Sequence, residues 1–569
     1  MAGGAAGTGG GIETSSLLWA IIMSAFAGFG GILFGYDTGT IGGIIAMNDW
    51  LMTFGKFDSS LLDNGNNGWY IPTNDKSLVV SILSAGTFFG ALLAFPMGDK
   101  VGRKWGLVAS CAVFSLGVGL QLDDKWPTFI VGRVIAGFGV GLVSCLVPMY
   151  QSECAPKSIR GLIVGLYQLA ITIGALLAAV VLNATKNRQD HSAWRHCRSL
   201  FWGNRWGDNL VFITLVPIAV QFVWAAVLSG GMIMLPESPR YLLLKNRQAE
   251  ARRALGRLMT LPHDSPEVEA EALEIATALA VELKADAGSY IDCFRSTENR
   301  NGFRTWTGIL MQGWQQLTGI NFIFYYGTTF FKQAGISNPF IIQIIADVVN
   351  TVMTIVGIQL IDRVGRRRLL LIGAIGMCLS EFIVAIVGVT VGTPHQTAAG
   401  LVVNITAQRV LIAFTCIYIA FFATSWGPVI WVLTGEIFPL GIRAKGMSLS
   451  VASNWLWNFG IGYATPYLVD QSTTGVNAVK AANLGVKVFF IWGGTCVGCL
   501  IFTYFFIPET KGLSLEQIDL LYRESTIIGS NEYRKKILAE NETFVKTYVH
   551  EKEKVEEDQH HDDGSHEKV

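Results

Sequence analysis

Long apolar runs recur along this chain, each bounded by a short polar segment. They fall near residues 17–46, 77–97, 106–121, 127–150, 161–183, 217–235, 306–331, 339–361, 368–391, 404–435, 445–468 and 485–507. About 20 apolar residues is the length a helix needs to cross a bilayer. The pattern therefore predicts an all-α membrane protein with twelve spanning helices. The first run has no basic segment before it and no clear cleavage site, so it reads as an uncleaved span. Lys and Arg concentrate in the loops after spans 2, 4, 6, 8 and 10: Lys100, Arg103 and Lys104; Lys157 and Arg160; residues 237–304; Arg363 to Arg368; Arg443 and Lys445. The alternate loops are mostly poorer in positive charge. An excess of Lys and Arg marks the cytoplasmic side, which puts both termini in the cytoplasm.

The second six spans repeat features of the first, in the same order. Asp99-Lys100-Val101-Gly102-Arg103-Lys104 returns as Asp362-Arg363-Val364-Gly365-Arg366-Arg367. Glu153 with Arg160 returns as Glu436 with Arg443, and Pro236-Glu237 returns as Pro508-Glu509. Chance accounts for one such recurrence, while three in register indicate a duplicated membrane unit packed around a central path. The chain then divides into a cytoplasmic tail (1–16), a six-helix half (17–235), a cytoplasmic linker (236–304), a second half (305–507) and a cytoplasmic tail (508–569). The linker has helical patterning over Arg240–Thr260 and Pro266–Asp286, with Ser265 as N-cap and Pro266 at the first helical position. The charged end of the tail, Glu551–Val569, reads as disordered.

Composition narrows the class. Of 569 residues, 51% are hydrophobic and 15% charged, against roughly a quarter charged in soluble domains. The net charge is zero, so no nucleic-acid partner is implied. Cys496 and Cys499 form a C-x-x-C inside an apolar run without a second pair, and read as small core residues rather than a zinc or redox site. The histidines of the tail, His560, His561 and His566, read as solvated. No phosphate loop, metalloprotease helix or nucleophile setting is present. No cofactor and no metal is expected, and no enzyme activity.

What remains is a set of polar side chains inside apolar helices, where they are costly and hence functional candidates. Gln168 lies in span 5, and Gln312, Gln315, Gln316 and Asn321 lie in span 7. Asn350 lies in span 8, Trp431 in span 10, and Asn454 and Trp455 in span 11. Carboxamides donate and accept without charge, which suits a neutral polyol, and tryptophan offers a flat face to a sugar's C–H side. Asn and Gln also glue helices together, but this many amides with Trp favours a polyhydroxyl ligand. One condition follows from geometry. On a straight helix Gln316 and Asn321 point about 140° apart, so they converge only if span 7 bends or unwinds at Gly313 or Gly319.

Gln315-Gln316-Leu317-Thr318-Gly319-Ile320-Asn321, followed by Tyr325-Tyr326, resembles the span-7 signature of the major facilitator sugar porters. Pro236-Glu237-Ser238-Pro239-Arg240 and Pro508-Glu509-Thr510 resemble that family's end-of-half motifs. Phe34-Gly35-Tyr36-Asp37-Thr38-Gly39-Thr40 and Ser425-Trp426-Gly427-Pro428 are most similar to fungal hexose transporters. The resemblance runs from about residue 17 to 525. It implies two six-helix halves working by alternating access, with Gln168, Gln315, Gln316, Asn321, Asn350, Trp431 and Asn454 at the sugar. It also implies a cytoplasmic charge network of Arg103, Glu153, Arg160, Arg366, Glu436 and Arg443 that holds the outward-open state. Some animal members carry a glutamate eight residues before the span-10 Trp; this chain has Ala423 there, and that role is not carried over.

Asp37 in span 1 and Arg133 in span 4 fall at matching depth, roughly 8–10 Å from the midplane by 1.5 Å per residue, and are expected to pair. A carboxylate beside Arg in apolar surroundings is balanced between charged and protonated forms, the chemistry of proton symport, and proton-coupled members of the family carry an Asp here. Fungal facilitators that use no proton keep the same Asp, so facilitated diffusion stays open. The expected partners are a hexose, with glucose the best single guess, protons and the lipid bilayer, with the chain a monomer in the plasma membrane. A glucose sensor of the same fold is the rival class. Asn183-Ala184-Thr185 is a glycosylation sequon on the outer side. Three features stand outside the family pattern: the carboxylates Asp347 and Glu381, and the segment His196–Val216, which is expected to be dispensable.

Overall fold

In the computed structural model, the described residues are 21–23, 25–59, 68–155, 160–186, 217–284, 289–333, 338–392, 395–397, 400–402, 404–470, 481–513 and 515–540. The segment His196–Val216 and the tail Glu551–Val569 lie outside them. Among the described residues, nine helices are long and apolar enough to cross a membrane. The other three spans depart from a plain apolar rod for identifiable reasons. Span 6 is short, span 7 is broken, and span 11 is rich in polar side chains.

In chain order the first half comprises α1 (Gly30–Ile44), the short α2 (Asn48–Phe54), α3 (Thr73–Val101), α4 (Arg103–Gln121), α5 (Trp126–Cys154), α6 (Arg160–Thr185) and α7 (Val220–Met234). A two-stranded hairpin, β1 (Lys56–Phe57) with β2 (Trp69–Tyr70), lies between α2 and α3. The linker holds α8 (Pro239–Leu244), α9 (Gln248–Met259) and α10 (Pro266–Lys284). The Ser265 hydroxyl accepts the Val268 amide hydrogen and caps α10 as expected. The helix expected over Arg240–Thr260 is instead two pieces, because Asn246 turns left-handed (φ 58°) and ends the first.

The second half comprises α11 (Asn301–Leu317), α12 (Ile320–Gln333), α13 (Pro339–Val364), α14 (Arg366–Val387), the hairpin β3 (His395–Thr397) with β4 (Gly400–Val402), α15 (Ile405–Thr424), α16 (Trp426–Glu436), α17 (Arg443–Val469) and α18 (Val488–Phe506). Span 7 is thus α11 plus α12. Gly319 carries the break: its φ of +84° suits a residue without Cβ, and a Cβ there would sit 2.5 Å from the Trp492 ring. Gly313 stays inside α11. Span 10 is likewise two helices, α15 and α16, parted at Ser425. Pro428 three residues on has no amide hydrogen to continue the ladder. In the tail, α19 (Leu515–Glu524) is tied to α11: Arg304, fully buried, pairs with Asp519 and stacks 4.1 Å from the Tyr522 ring centre.

Packing reflects the solvent. Phe89, Leu116 and Met234 are exposed, whereas Asp37, Arg133, Gln312 and Asn454 are buried. Lipid takes apolar side chains, so the polar ones turn inward, where partners exist. Within the first half α5 packs on α3 and α4, and α1 on α6; within the second, α14 packs on α15 and α18, and α11 on α17. The halves meet where α3 lies on α17, α6 on α13, and α1 on α12.

Candidate functional site

The break after Leu317 turns Asn321 back toward Gln316, and the two amides hydrogen-bond, Asn321 Nδ2 donating to Gln316 Oε1. Around them a continuous hydrogen-bonded circuit of amides forms. Gln316 Nε2 donates to Asn454 Oδ1 (2.8 Å), and Asn454 Nδ2 donates to Gln312 Oε1 (2.7 Å) and Gln315 Oε1 (2.8 Å). Gln312 Nε2 donates to Thr434 Oγ1 at 2.9 Å. Gln315 Nε2 donates to the carbonyls of Trp426 (2.8 Å) and Gly427 (3.2 Å), beside the break in span 10. Gln168 of the first half faces the same backbone: a Cβ on Gly427 would lie 3.8 Å from its Nε2. Trp431 is half-buried and packs against the core, and Trp455 is buried with its ring edge-on to Phe34 at 5.1 Å. Asn350 is buried on α13, and its Oδ1 has no hydrogen-bond partner.

Asn458 belongs to this cluster and is absent from the sequence reading. Its Oδ1 accepts from Ser84 of the first half (2.6 Å) and from the Tyr325 hydroxyl (3.1 Å), and its Nδ2 donates to Gln316 Oε1 (3.3 Å). It lies one helical turn after Asn454, a spacing that puts both on one face, so a period-four search from Asn454 finds it.

Asp37 and Arg133 meet, with Arg133 Nη1 at 3.2 Å from Asp37 Oδ1, both fully enclosed. Gln221 of α7 is a second donor to the same oxygen at 3.2 Å. Asp37 Oδ2 and Arg133 Nη2 are left without partners, so the pair is close but incompletely satisfied. No feature of the sequence around Gln221 marks it as the third member.

At the basic end of the bundle the repeated motifs build one corner twice. Arg103 reaches Glu153 (3.0 Å) and Asp99 (3.2 Å), and Arg366 reaches Glu436 (2.9 Å) and Asp362 (2.9 Å). Glu237 accepts the amide hydrogens that open α4, from Arg103 and Lys104 at 3.0 Å each; Glu509 accepts that of Arg366 at 2.9 Å. A carboxylate at a helix N-terminus satisfies orphan donors and opposes the helix dipole. Gly102 and Gly365 (φ +101° and +103°) make the approach possible, since a Cβ would strike those carboxylates. Burial pushes the Glu237 carboxyl above its ordinary value, while its amide hydrogen bonds pull it down. Both ion-pair sets stay within one half. Arg443 Nε donates to the Phe438 carbonyl at 3.2 Å, and the Arg160 side chain lies outside the described residues.

The opposite end joins the halves directly. Lys76 of α3 pairs with Asp470 at the end of α17 (2.9 Å) and lies over the Tyr326 ring. Lys186 Nζ donates to Asn338 Oδ1 at 2.8 Å. The sequon at Asn183 lies at the end of α6, where Asn183 Oδ1 accepts from Lys186 and Thr185 is buried with its hydroxyl donating to the Val181 carbonyl. Glu381 is buried beside Cys496 Sγ at 3.2 Å, between α14 and α18. Among the described residues no group of His, Cys, Asp and Glu is arranged to hold a metal.

Two like helical halves with a polar cluster at their junction define a multi-pass membrane transporter of the major facilitator fold. A family model described as "Sugar (and other) transporter" matches residues 23–522, and the chain belongs to that family. It is a family of transporters and not of enzymes. The chain is 48% identical to the major facilitator-type transporter ecdD of Aspergillus rugulosus, over 90% of this chain and 89% of that one. It is 44% identical to the probable glucose transporter rco-3 of Neurospora crassa (88% and 79%). Against the high glucose sensor RGT2 of Saccharomyces cerevisiae it is 39% identical, over 93% of this chain but 65% of the sensor's length. The proton:xylose symporter XylE bound to 6-bromo-6-deoxy-D-glucose superposes with a TM-score of 0.68, at 27% identity over 89% of this chain and 99% of that one.

Proposed function

We propose that this protein carries hexoses, glucose foremost, across the plasma membrane by alternating access, coupled to protons, with its basic end and both termini in the cytoplasm. The observation that carries the reading is the amide circuit at the break of span 7. Six carboxamides from α11, α12 and α17 meet there, and Gln168 faces it from the other half. Such groups match hydroxyls that both give and accept, and they sit where the two halves meet. Gln168, Gln315, Gln316, Asn321, Asn350, Trp431 and Asn454 hold the sugar in this reading. The buried Asp37–Arg133 pair is the proton site: protonation of Asp37 releases Arg133, and the spare oxygen and nitrogen mark an arrangement with room to change partners. Arg103, Glu153, Arg160, Arg366, Glu436 and Arg443 form the cytoplasmic charge network that holds the outward-open state, with Glu153 and Arg443 acting on the balance of states. In this reading the protein acts as a monomer.

Uptake of labelled glucose in cells that lack their own transporters, with and without a protonophore, tests this. Protonophore-sensitive accumulation supports the symporter, and uptake without accumulation makes the protein a facilitator with Asp37 a structural partner of Arg133. The sensor relative motivates a second reading, receptor rather than carrier. Surface-localised protein with glucose-dependent signalling and no uptake would establish it.

A further inference from the structure

Helix α13 carries a polar ladder of which only Asn350 is explained so far. Gln343, Asp347, Asn350 and Thr354 fall within an arc of about 60° at 100° per residue. The lipid-facing residues Ile341, Ile345, Val348 and Val352, all exposed, lie on the opposite side. Gln343, Asp347 and Asn350 are 8%, 2% and 5% exposed. Each nevertheless has one oxygen without a hydrogen-bond partner: Gln343 Oε1, Asp347 Oδ1 and Asn350 Oδ1. Asp347 Oδ2 accepts only a long contact from Gln343 Nε2, 3.4 Å, and among the described residues Asp347 makes no ion pair. Gln343 faces the second piece of broken span 7, because a Cβ on Gly327 of α12 would lie 2.7 Å from its Oε1.

The contrast with the amide circuit is chemical. There Gln312, Gln315, Gln316 and Asn454 satisfy one another. The α13 ladder leaves three buried acceptor oxygens without a hydrogen-bond partner. Buried acceptors left unmatched are costly and call for a partner. The partner that fits is a molecule bringing several donors to the face of α13 that packs on α12, next to Asn350.

We propose that Gln343 and Asp347 extend the sugar site along α13, away from the basic end, as acceptors for sugar hydroxyl groups. Asp347 accepts one specific hydroxyl and sets which sugars are carried. This rests on the reading of the protein as a hexose carrier. In its ionised form Asp347 only accepts, so it rewards a hydroxyl and rejects the deoxy analogue more sharply than an amide that can reorient.

The test is competition of labelled glucose uptake by a panel of monodeoxyglucoses, in the parent and in Asp347→Ala and Asp347→Asn. In the parent, the analogue lacking the hydroxyl read by Asp347 competes worse than glucose by roughly tenfold, one lost buried partner. In Asp347→Ala the KM for glucose rises by a similar factor, and that one analogue then competes as well as glucose while the others keep their penalties. Asp347→Asn keeps the shape and reports the same pattern, weakened, should the alanine variant not reach the surface. An unchanged panel in both variants overturns the proposal. So does an unchanged panel with a shifted pH profile of uptake, which would make Asp347 a proton carrier. A parent that takes up no hexose overturns the underlying reading, and this one with it.

Discussion

Gln316 receives hydrogen bonds from Asn321 and Asn458 and donates one to Asn454, so its replacement is felt by three neighbours and by the ligand. For Gln316→Ala, unpaired groups cost about 1–3 kcal/mol each, and apparent sugar affinity should fall roughly tenfold or more with surface expression kept. Unchanged uptake kinetics at normal expression would remove Gln316 from the site. Asp37 tests the driving force. Asp37→Asn keeps the shape and a carbonyl for Arg133 but removes the charge, and breaking a buried pair costs about 3–5 kcal/mol. Uphill accumulation should vanish while downhill exchange persists, measured by counterflow of labelled sugar with stability followed separately by detergent melting. At this scale the polar residues of the spans were legible in the sequence, since charge and amides stand out against apolar helices. Their partners were less so. Asp37 and Arg133 were matched by depth, but Gln221, Asn458 and the Lys76–Asp470 pair depend on which faces of distant helices meet, which spacing along one helix does not encode.

The broken seventh span shows what an element adds to its residues. The divergence of Gln316 and Asn321 on a straight helix required a break, and Gly319 is where it falls. Gly319→Ala forces a Cβ to 2.5 Å from the Trp492 ring at a backbone angle that L residues avoid. It should lower the melting temperature and abolish high-affinity uptake together, whereas Gly494→Ala, with nothing within 4 Å of its Cβ in the same half, should do neither. The break in span 10 is marked in the sequence only by the breaker residues of Ser425-Trp426-Gly427-Pro428, since the apolar positions on either side run on without a change of period. In the linker, a helical pattern over Arg240–Thr260 hides the left-handed turn at Asn246.

For the whole molecule, the contacts between halves set what can move. At the end opposite the basic loops, Lys76 and Asp470 tie α3 to α17, and under the proposed alternating access that tie opens when the path faces that side. Cysteines at the two positions should be bridged by a short bis-methanethiosulfonate reagent, because a Lys–Asp pair spans more than a direct disulfide reaches; bridging should arrest uptake, and a reductant should restore it. Uptake that continues at full rate while cross-linked would show that the two helix ends do not separate during the cycle. The carboxylates at Glu237 and Glu509 bear on a different process. Each follows the last span of its half, and each reaches back to fasten the start of that half's third span. Neither corner can form until six helices have emerged from the ribosome, and the first needs nothing from the second. The chain is in effect made as two successive assemblies, each fastened by its final residues. The two halves synthesised as separate polypeptides should therefore each insert, and recover transport when they meet in the membrane.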